Sequence, residues 1–293
     1  MPTKVFFLIN PISGGLDKKG FRSNAEQFCK THNLSPKFLE TTGKDDPSRL
    51  AESLKEYQPE ILVIGGGDGT VNLAASTLQE IAMQIPIAII PLGSANGMAR
   101  ELLIPEEPLE ALKLILNSNQ KNVDVLVVNG QYSIHLSDLG FNAKLIRKFE
   151  KFGQRGKWNY ARHFFSILQE QSTSEYSIYI NDEVIDIKAH MVAFANARTY
   201  GTGAVINPDG KLDDGIFEVC IFRPYPWYAL GGIAWKFFIG DIKESPYVKI
   251  IPAREALVLV HPDEELQIDG EVIGTVAKVE VSVSEMPLNV LVP

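Results

Sequence analysis

The chain has 293 residues, more than one hydrophobic core usually organises, so two domains are expected. Its 45% hydrophobic and 22% charged residues are those of an ordinary folded protein, and a formal net charge of −8 argues against nucleic acid and against wholesale adhesion to anionic surfaces. The two cysteines, Cys29 and Cys220, lie far apart without metal-ligand or CxxC spacing, which excludes thiol and zinc chemistry and fits a reducing compartment.

The N-terminus, MPTKVFFLINP, lacks the long apolar core and cleavage site of a secretory signal and reads as a first strand. The first third then alternates β-branched runs with helical patterns: a helix near Lys18–His32, PKFLET, a helix near Pro47–Tyr57, EILVIG, a helix from Thr70, and PIAIIPLG. That alternation predicts a mainly parallel sheet flanked by helices, with strands buried on both faces. Ligands of such sheets sit at the carboxyl ends of the strands, where three of these strands run into loops rich in Gly, Ser and Asn.

After a helix near Glu107–Asn117 the pattern changes to strand pairs, with turn signals at Asn129-Gly130, Asn181-Asp182 and Asp269-Gly270. Helices are expected around Asn142–Phe152, Asn159–Gln169 and Pro226–Ile239. The reading is an α/β nucleotide-binding domain over residues 1–127 and an antiparallel, β-rich, sandwich-like domain over residues 128–287, with residues 288–293 returning to the first. The longest apolar stretch, Trp227 to Gly240, contains Lys236 and falls short of the roughly 20 residues a spanning helix needs.

The sharpest signal is ILVIGGGDGTVN, Ile61 to Asn72: a buried strand, a glycine-rich turn and a helix start. Glycines let backbone approach a phosphate closely, and a helix N-terminus aims free N–H groups at it. The turn is neither a Walker A loop, since no Lys-Ser/Thr pair follows, nor GxGxxG, since Thr70 occupies the third glycine position. A carboxylate beside polyphosphate is repulsive unless a divalent cation lies between them, so Asp68 predicts Mg²⁺ bound along with a nucleotide. The structural alternative is a plain strand-to-helix turn capped by Asp68.

GGGDGT resembles the nucleotide loop of the diacylglycerol kinase catalytic-domain family, whose relatives include sphingosine and ceramide kinases and, more distantly, NAD kinases. NPISGG (Asn10–Gly15), PLGSANGMAREL (Pro91–Leu102), DLGFNAKL (Asp138–Leu145), NARTYGTG (Asn196–Gly203), PDGKLDDGIFEV (Pro208–Val219) and IDGEV (Ile268–Val272) follow in the family's order. The LDDG segment favours the bacterial lipid-kinase branch over NAD kinase. The resemblance implies an ATP- and Mg²⁺-dependent kinase acting on diacylglycerol or a related lipid alcohol. A soluble metabolite kinase resembling NAD kinase, or a non-catalytic nucleotide- or lipid-binding regulator, stands as the alternative.

Phosphoryl transfer asks the protein to position groups and neutralise charge. On the resemblance, Asn10, Ser13, Gly14, Gly66, Gly67, Gly69 and Thr70 hold the nucleotide, and Asp68 meets Mg²⁺ directly or through water. Ser94 caps a helix beginning at Ala95, and Asn96 faces the phosphates. Asp214, beside Asp213, binds a second, structural metal together with the carbonyls of Lys211 and Ile216; for an isolated DDG a surface turn is the alternative. Glu271 is the candidate general base and Asp269 the runner-up, on a DG turn that also predicts a type I′ hairpin. The family writes Asn-Asp where this chain has Asn96-Gly97, a departure that bears on activity.

The segment Phe141–Arg162 carries Lys144, Arg147, Lys148, Lys151, Arg155, Lys157 and Arg162 against the single acid Glu150. Its basic and apolar residues fall on different helical faces, the pattern of a helix resting on an anionic interface or of a solvated face. WYALGGIAWKFFIG reads as a core helix or as the lining of an acyl-chain pocket. The expected partner is a membrane lipid at the bilayer surface, not nucleic acid; a homodimer is left open. The expected location is the cytoplasm, including a peripheral position at the inner membrane face.

Overall fold

The computed structural model describes residues 2–12, 18–140, 173–199 and 205–293. The helices expected around Asn142–Phe152 and Asn159–Gln169, the basic segment, and part of NARTYGTG lie outside the described residues, as do Ser13 and Gly14. The chain forms two compact units, Met1–Val123 with Met286–Pro293, and Asp124–Glu285.

The first unit is a six-stranded sheet in the order β2-β1-β3-β4-β16-β5. Its strands are β1 (Lys4–Ile9), β2 (Ser35–Glu40), β3 (Ile61–Gly66), β4 (Ile87–Pro91), β5 (Asn119–Val123) and β16 (Leu288–Val292). The first four run parallel, and β16 lies parallel to β4 and antiparallel to β5. Five of the six β1 residues and all of β4 are buried, which is why these strands read as continuous apolar runs.

The described residues of this unit include the helices α1 (Lys18–Thr31), α2 (Asp46–Tyr57), α3 (Asp68–Glu80), α4 (Gly97–Glu101) and α5 (Pro108–Leu112). In α3 the buried residues Val71, Ala74, Ala75 and Leu78 follow the spacing of one helical face. The helix expected over Glu107–Asn117 is split into α5 and a 3₁₀ turn at Lys113–Ile115. Pro108 stands at its start, where a missing N–H costs nothing, and the Glu107 carboxylate accepts the Glu110 amide at 2.7 Å.

Among the described residues the strand pairs of the second unit are antiparallel, with the main path β13-β12-β11-β8-β14-β15-β6-β7 and with β9 joining β14 to β10. Its strands are β6 (Leu126–Val128), β7 (Gln131–Ser133), β8 (Leu136–Gly140), β9 (Ser174–Ile180), β10 (Glu183–Ala189), β11 (Met191–Ala195), β12 (Phe217–Phe222), β13 (Val248–Ala253), β14 (Glu255–Ile268) and β15 (Glu271–Val283). β6 pairs with β15, so it opens this unit. The strand alternation of β11 and β12 splits between two cores. Val192, Phe194, Phe217, Val219 and Ile221 enter the larger one, while Met191, Ala193, Ala195, Cys220 and Phe222 enter a second. Burying Phe194 and Phe217 contributes roughly 2–3 kcal/mol each.

Helix α6 (Leu230–Ile239) covers the second core through Ile233 and Phe237. The core-helix reading of WYALGGIAWKFFIG therefore holds for that face, whereas Tyr228, Trp235 and Ile239 are exposed. No helix among the described residues is long and apolar enough to cross a membrane.

Candidate active site

The turn after β3 is built on close backbone contact. A Cβ at Gly66 would stand 2.3 Å from Thr70 Oγ1, and one at Gly93 would stand 2.4 Å from the Gly67 Cα. Only glycine lets the loops after β3 and β4 meet in this way. Gly67 is the N-cap of α3, whose amides at Thr70 and Val71 return to the Gly67 carbonyl at 2.9 and 3.1 Å. The helix thus begins at Asp68, two residues before the expected Thr70. Asn10, just beyond β1, joins this turn: its amide donates to Gly65 O at 2.9 Å and its side chain donates to Thr70 Oγ1 at 3.3 Å. Its Oδ1 accepts the Ile12 amide at 3.1 Å, shaping the loop that leads toward residue 13.

Asp68 does not cap its own helix. Its Oδ2 accepts the Gly97 amide at 2.9 Å and its Oδ1 accepts the Met98 amide at 3.0 Å, so the carboxylate caps α4 instead. The reading of Ser94 as the cap of a helix from Ala95 is corrected here: α4 begins at Gly97, its N-cap is Asn96, and Ser94 is exposed. Asn96 closes on Gly93 with both ends of its amide, accepting from Gly93 N at 2.9 Å and donating to Gly93 O at 3.1 Å. This ring holds Asn96 at φ 52°, a left-handed conformation that asparagine tolerates, and delays the helix.

In the second unit, Asp213 and Asp214 sit exposed ahead of Gly215, which has φ 71°. Asp214 Oδ1 accepts the Ile216 amide at 3.3 Å. Asp124, which the sequence reading missed, supports the turn from inside. Its Oδ2 accepts the Gly215 amide at 2.8 Å, and its own amide donates to Leu212 O at 2.6 Å. Burial pushes the Asp124 carboxyl up, the nearby charges of Asp214 and Asp213 add to that, and the Gly215 amide opposes it. No group of three or more His, Cys, Asp or Glu side chains arranged to hold a metal occurs among the described residues. Carboxylate and backbone carbonyl oxygens, as at this turn, are the donors that a hard cation takes.

Behind this turn, Glu218 is buried and accepts a hydrogen bond from Asn207 Nδ2. Burial pushes its carboxyl up to about 7, opposed by the Asn207 bond and reinforced by Asp214 and Asp209.

The β14–β15 hairpin closes through Asp269 and Gly270, both at positive φ (46° and 92°), between the paired residues Ile268 and Glu271. This is the two-residue turn that DG announces. Glu271 is exposed at the head of β15. The Asp269 carboxylate is turned inward, accepting from Ser133 Oγ and from the Ile134, His135 and Leu136 amides at 2.8–3.0 Å. Asn196, fully buried, was another residue without a sequence signal of its role; its Nδ2 donates to Asp124 O and Ile134 O, both at 2.8 Å.

Comparison with known proteins agrees over both units. The diacylglycerol kinase catalytic domain model matches residues 4–128, and the YegS C-terminal NAD kinase beta sandwich-like domain model matches residues 138–292. A protein of Chromohalobacter salexigens named "Probable lipid kinase YegS-like" is 32% identical over 184 residues, which span 61% of this chain and 59% of that protein's length. A diacylglycerol kinase of Staphylococcus saprophyticus is 27% identical across 88% of this chain and 81% of its own. Among solved structures, a diacylglycerol kinase from Bacillus anthracis has a TM-score of 0.76 at 20% identity, covering 99% of this chain and 97% of that one. An NAD kinase from Archaeoglobus fulgidus in complex with ATP has a TM-score of 0.58 at 12% identity, covering 98% and 93%. At those identities the structures speak for the fold alone. With both domain models matched in order, the chain belongs to the diacylglycerol kinase catalytic-domain family, in the branch that carries the YegS-type C-terminal domain.

Proposed function

We propose that the chain is a lipid kinase that transfers the γ-phosphoryl group of ATP to the hydroxyl of diacylglycerol or a related lipid alcohol. The observation that carries this reading is the β3–α3 glycine turn with the Asp68 carboxylate fixed beside it by the Gly97 and Met98 amides. A turn of close-packed glycines ahead of a helix suits a polyphosphate. Gly66, Gly67, Gly69 and Thr70, with Asn10, Ser13 and Gly14 from the first loop, would cradle it; Ser94 and Asn96 would border it from the loop after β4.

Asp68 would hold Mg²⁺ at the nucleotide, and Asp214 with the Lys211 and Ile216 carbonyls, beside Asp213, would hold a second ion. Bound Mg²⁺ supplies neutralisation of the charge on the transferring phosphoryl group. Glu271, exposed on a rigid turn, would accept the proton of the attacking hydroxyl. The names of the relatives support a lipid acceptor, and the lipid would be met at the inner membrane face by a cytoplasmic chain.

The test is ATP- and Mg²⁺-dependent phosphorylation of a mixed lipid extract in detergent micelles, with Asp68→Ala and Glu271→Ala beside the wild type. A phosphorylated lipid lost in both variants supports the reading. The NAD kinase likeness of the fold favours a second reading, a soluble metabolite acceptor. Full activity without lipid or detergent would select it.

A further inference from the structure

We propose that Asp269 is a positioning residue whose carboxylate seats the β14–β15 hairpin, and with it Glu271, on the segment 133–136. The inference rests on the kinase reading in taking Glu271 as the proton acceptor. Asp269 Oδ1 accepts from Ser133 Oγ at 2.8 Å, His135 N at 3.0 Å and Leu136 N at 2.9 Å, and Oδ2 accepts from Ile134 N at 2.8 Å. Its own amide returns to Leu136 O at 3.0 Å. Four donors occupy most of what two carboxylate oxygens can accept. These donors hold the carboxylate against the segment 133–136, whereas Glu271 is exposed.

The segment that receives the hairpin is itself fixed. Ser133, Ile134, His135 and Leu136 are all buried. Asn196 Nδ2 donates to Ile134 O at 2.8 Å, and the Asn196 and Ala197 amides donate to His135 O at 3.2 and 3.0 Å. A second tether reinforces the first: buried Gln267 accepts the Gly270 amide at 2.8 Å and donates to Leu136 O and to the Asp138 carboxylate. A two-residue turn is ordinarily an exposed tip free to shift. Here its first residue is anchored in the interior, so the exposed Glu271 two positions on inherits a fixed place. Displacing a reacting group by about 1 Å costs up to roughly 100-fold in rate, which is what such anchoring prevents.

The test compares Asp269→Asn, Ser133→Ala and Glu271→Gln with the wild type in two measurements: amide hydrogen exchange of the free protein, and the pH dependence of Mg²⁺–ATP-dependent lipid phosphorylation. In Asp269→Asn, exchange at Ile134, His135, Leu136 and Glu271 is expected to accelerate roughly 10-fold or more, and kcat to fall roughly 10- to 100-fold with the KM for ATP within about twofold. The acid limb of the pH profile is expected to survive in Asp269→Asn and to vanish in Glu271→Gln. Ser133→Ala removes one donor of four and is expected to show the same pattern more weakly; it decides the matter if Asp269→Asn does not fold. Loss of the acid limb in Asp269→Asn would make Asp269 the base and overturn the proposal, as would unchanged exchange and kcat in whichever tether variant folds. If the wild type phosphorylates no lipid, the kinase reading fails on its own, and the exchange measurement still decides whether Asp269 seats the hairpin.

Discussion

Asp68 Oδ2 accepts the Gly97 amide at 2.9 Å, so the carboxylate that follows β3 is held by the backbone of the loop after β4. The Met98 amide completes the pair on Oδ1 at 3.0 Å. Hydrogen bonds to a charged acceptor are worth roughly 1.5–3 kcal/mol each, and an amide nitrogen at Oδ would meet an N–H head on. Asp68→Asn is therefore expected to lower unfolding free energy by about 1–2 kcal/mol and to abolish the stabilisation that Mg²⁺–ATP gives the wild type. Thermal unfolding with and without the nucleotide reads both effects; stabilisation of the variant by Mg²⁺–ATP at the wild-type level would refute the assignment of Asp68.

Two glycines of the same turn are expected to separate packing from binding. A Cβ at Gly66 would collide with Thr70, whereas one at Gly69 meets nothing within 4 Å. Gly66→Ala is expected to cost about 1–3 kcal/mol in denaturant unfolding, the range of overpacked sites. Gly69→Ala is expected to fold with wild-type stability and to bind ATP more weakly. Equal stability losses in the two variants would contradict the geometry.

Burial first, and then the charges of Asp214 and Asp213, push the Asp124 carboxyl up, and a cation at the Asp213–Asp214 turn would offset those charges. Millimolar Mg²⁺ without nucleotide is expected to raise the melting temperature of the wild type, and a chelator to reverse it. Asp214→Asn is expected to lose that response. A melting temperature indifferent to Mg²⁺ in the wild type would remove the second metal from the account.

Glu218 gives a pH dependence whose sign is fixed. Its carboxyl is raised from the ordinary 4.5 to about 7 by burial first, so the folded state holds a proton that the unfolded chain releases. The associated stability is complete below about pH 4.5 and is lost as pH rises through 7. Glu218→Gln keeps an acceptor for Asn207 and carries no charge. It is expected to match the wild type at pH 4 and to exceed it by roughly 2–3 kcal/mol at pH 8, after allowance for screening by solvent. A difference that does not change with pH would show that Glu218 does not titrate in this range.

The fold class was legible because its signals are local. Continuous apolar runs such as Val5–Ile9 and Ile87–Pro91 announced strands buried on both faces. The pairs Asn129-Gly130, Asn181-Asp182 and Asp269-Gly270 all adopt the positive φ that their residue types favour. What was not legible depends on partners far away in sequence. Asp269 meets donors more than 130 residues before it, and Asn196 ties Asp124 to Ile134. Nothing in the composition of IDGEV or NARTYG distinguishes a tether from a reactive group. Ser94 shows the converse failure: a local capping preference was overridden by the ring that Asn96, two residues on, closes with Gly93.

Transfer of the γ-phosphoryl group of ATP to a lipid hydroxyl is decided by offering the wild-type chain diacylglycerol in mixed micelles and NAD in the same Mg²⁺–ATP reaction and identifying the products by mass spectrometry. The expected product is phosphorylated diacylglycerol that disappears in Asp68→Ala. Phosphorylated NAD with the lipid untouched, or ATP binding without any phosphorylated product, would contradict it.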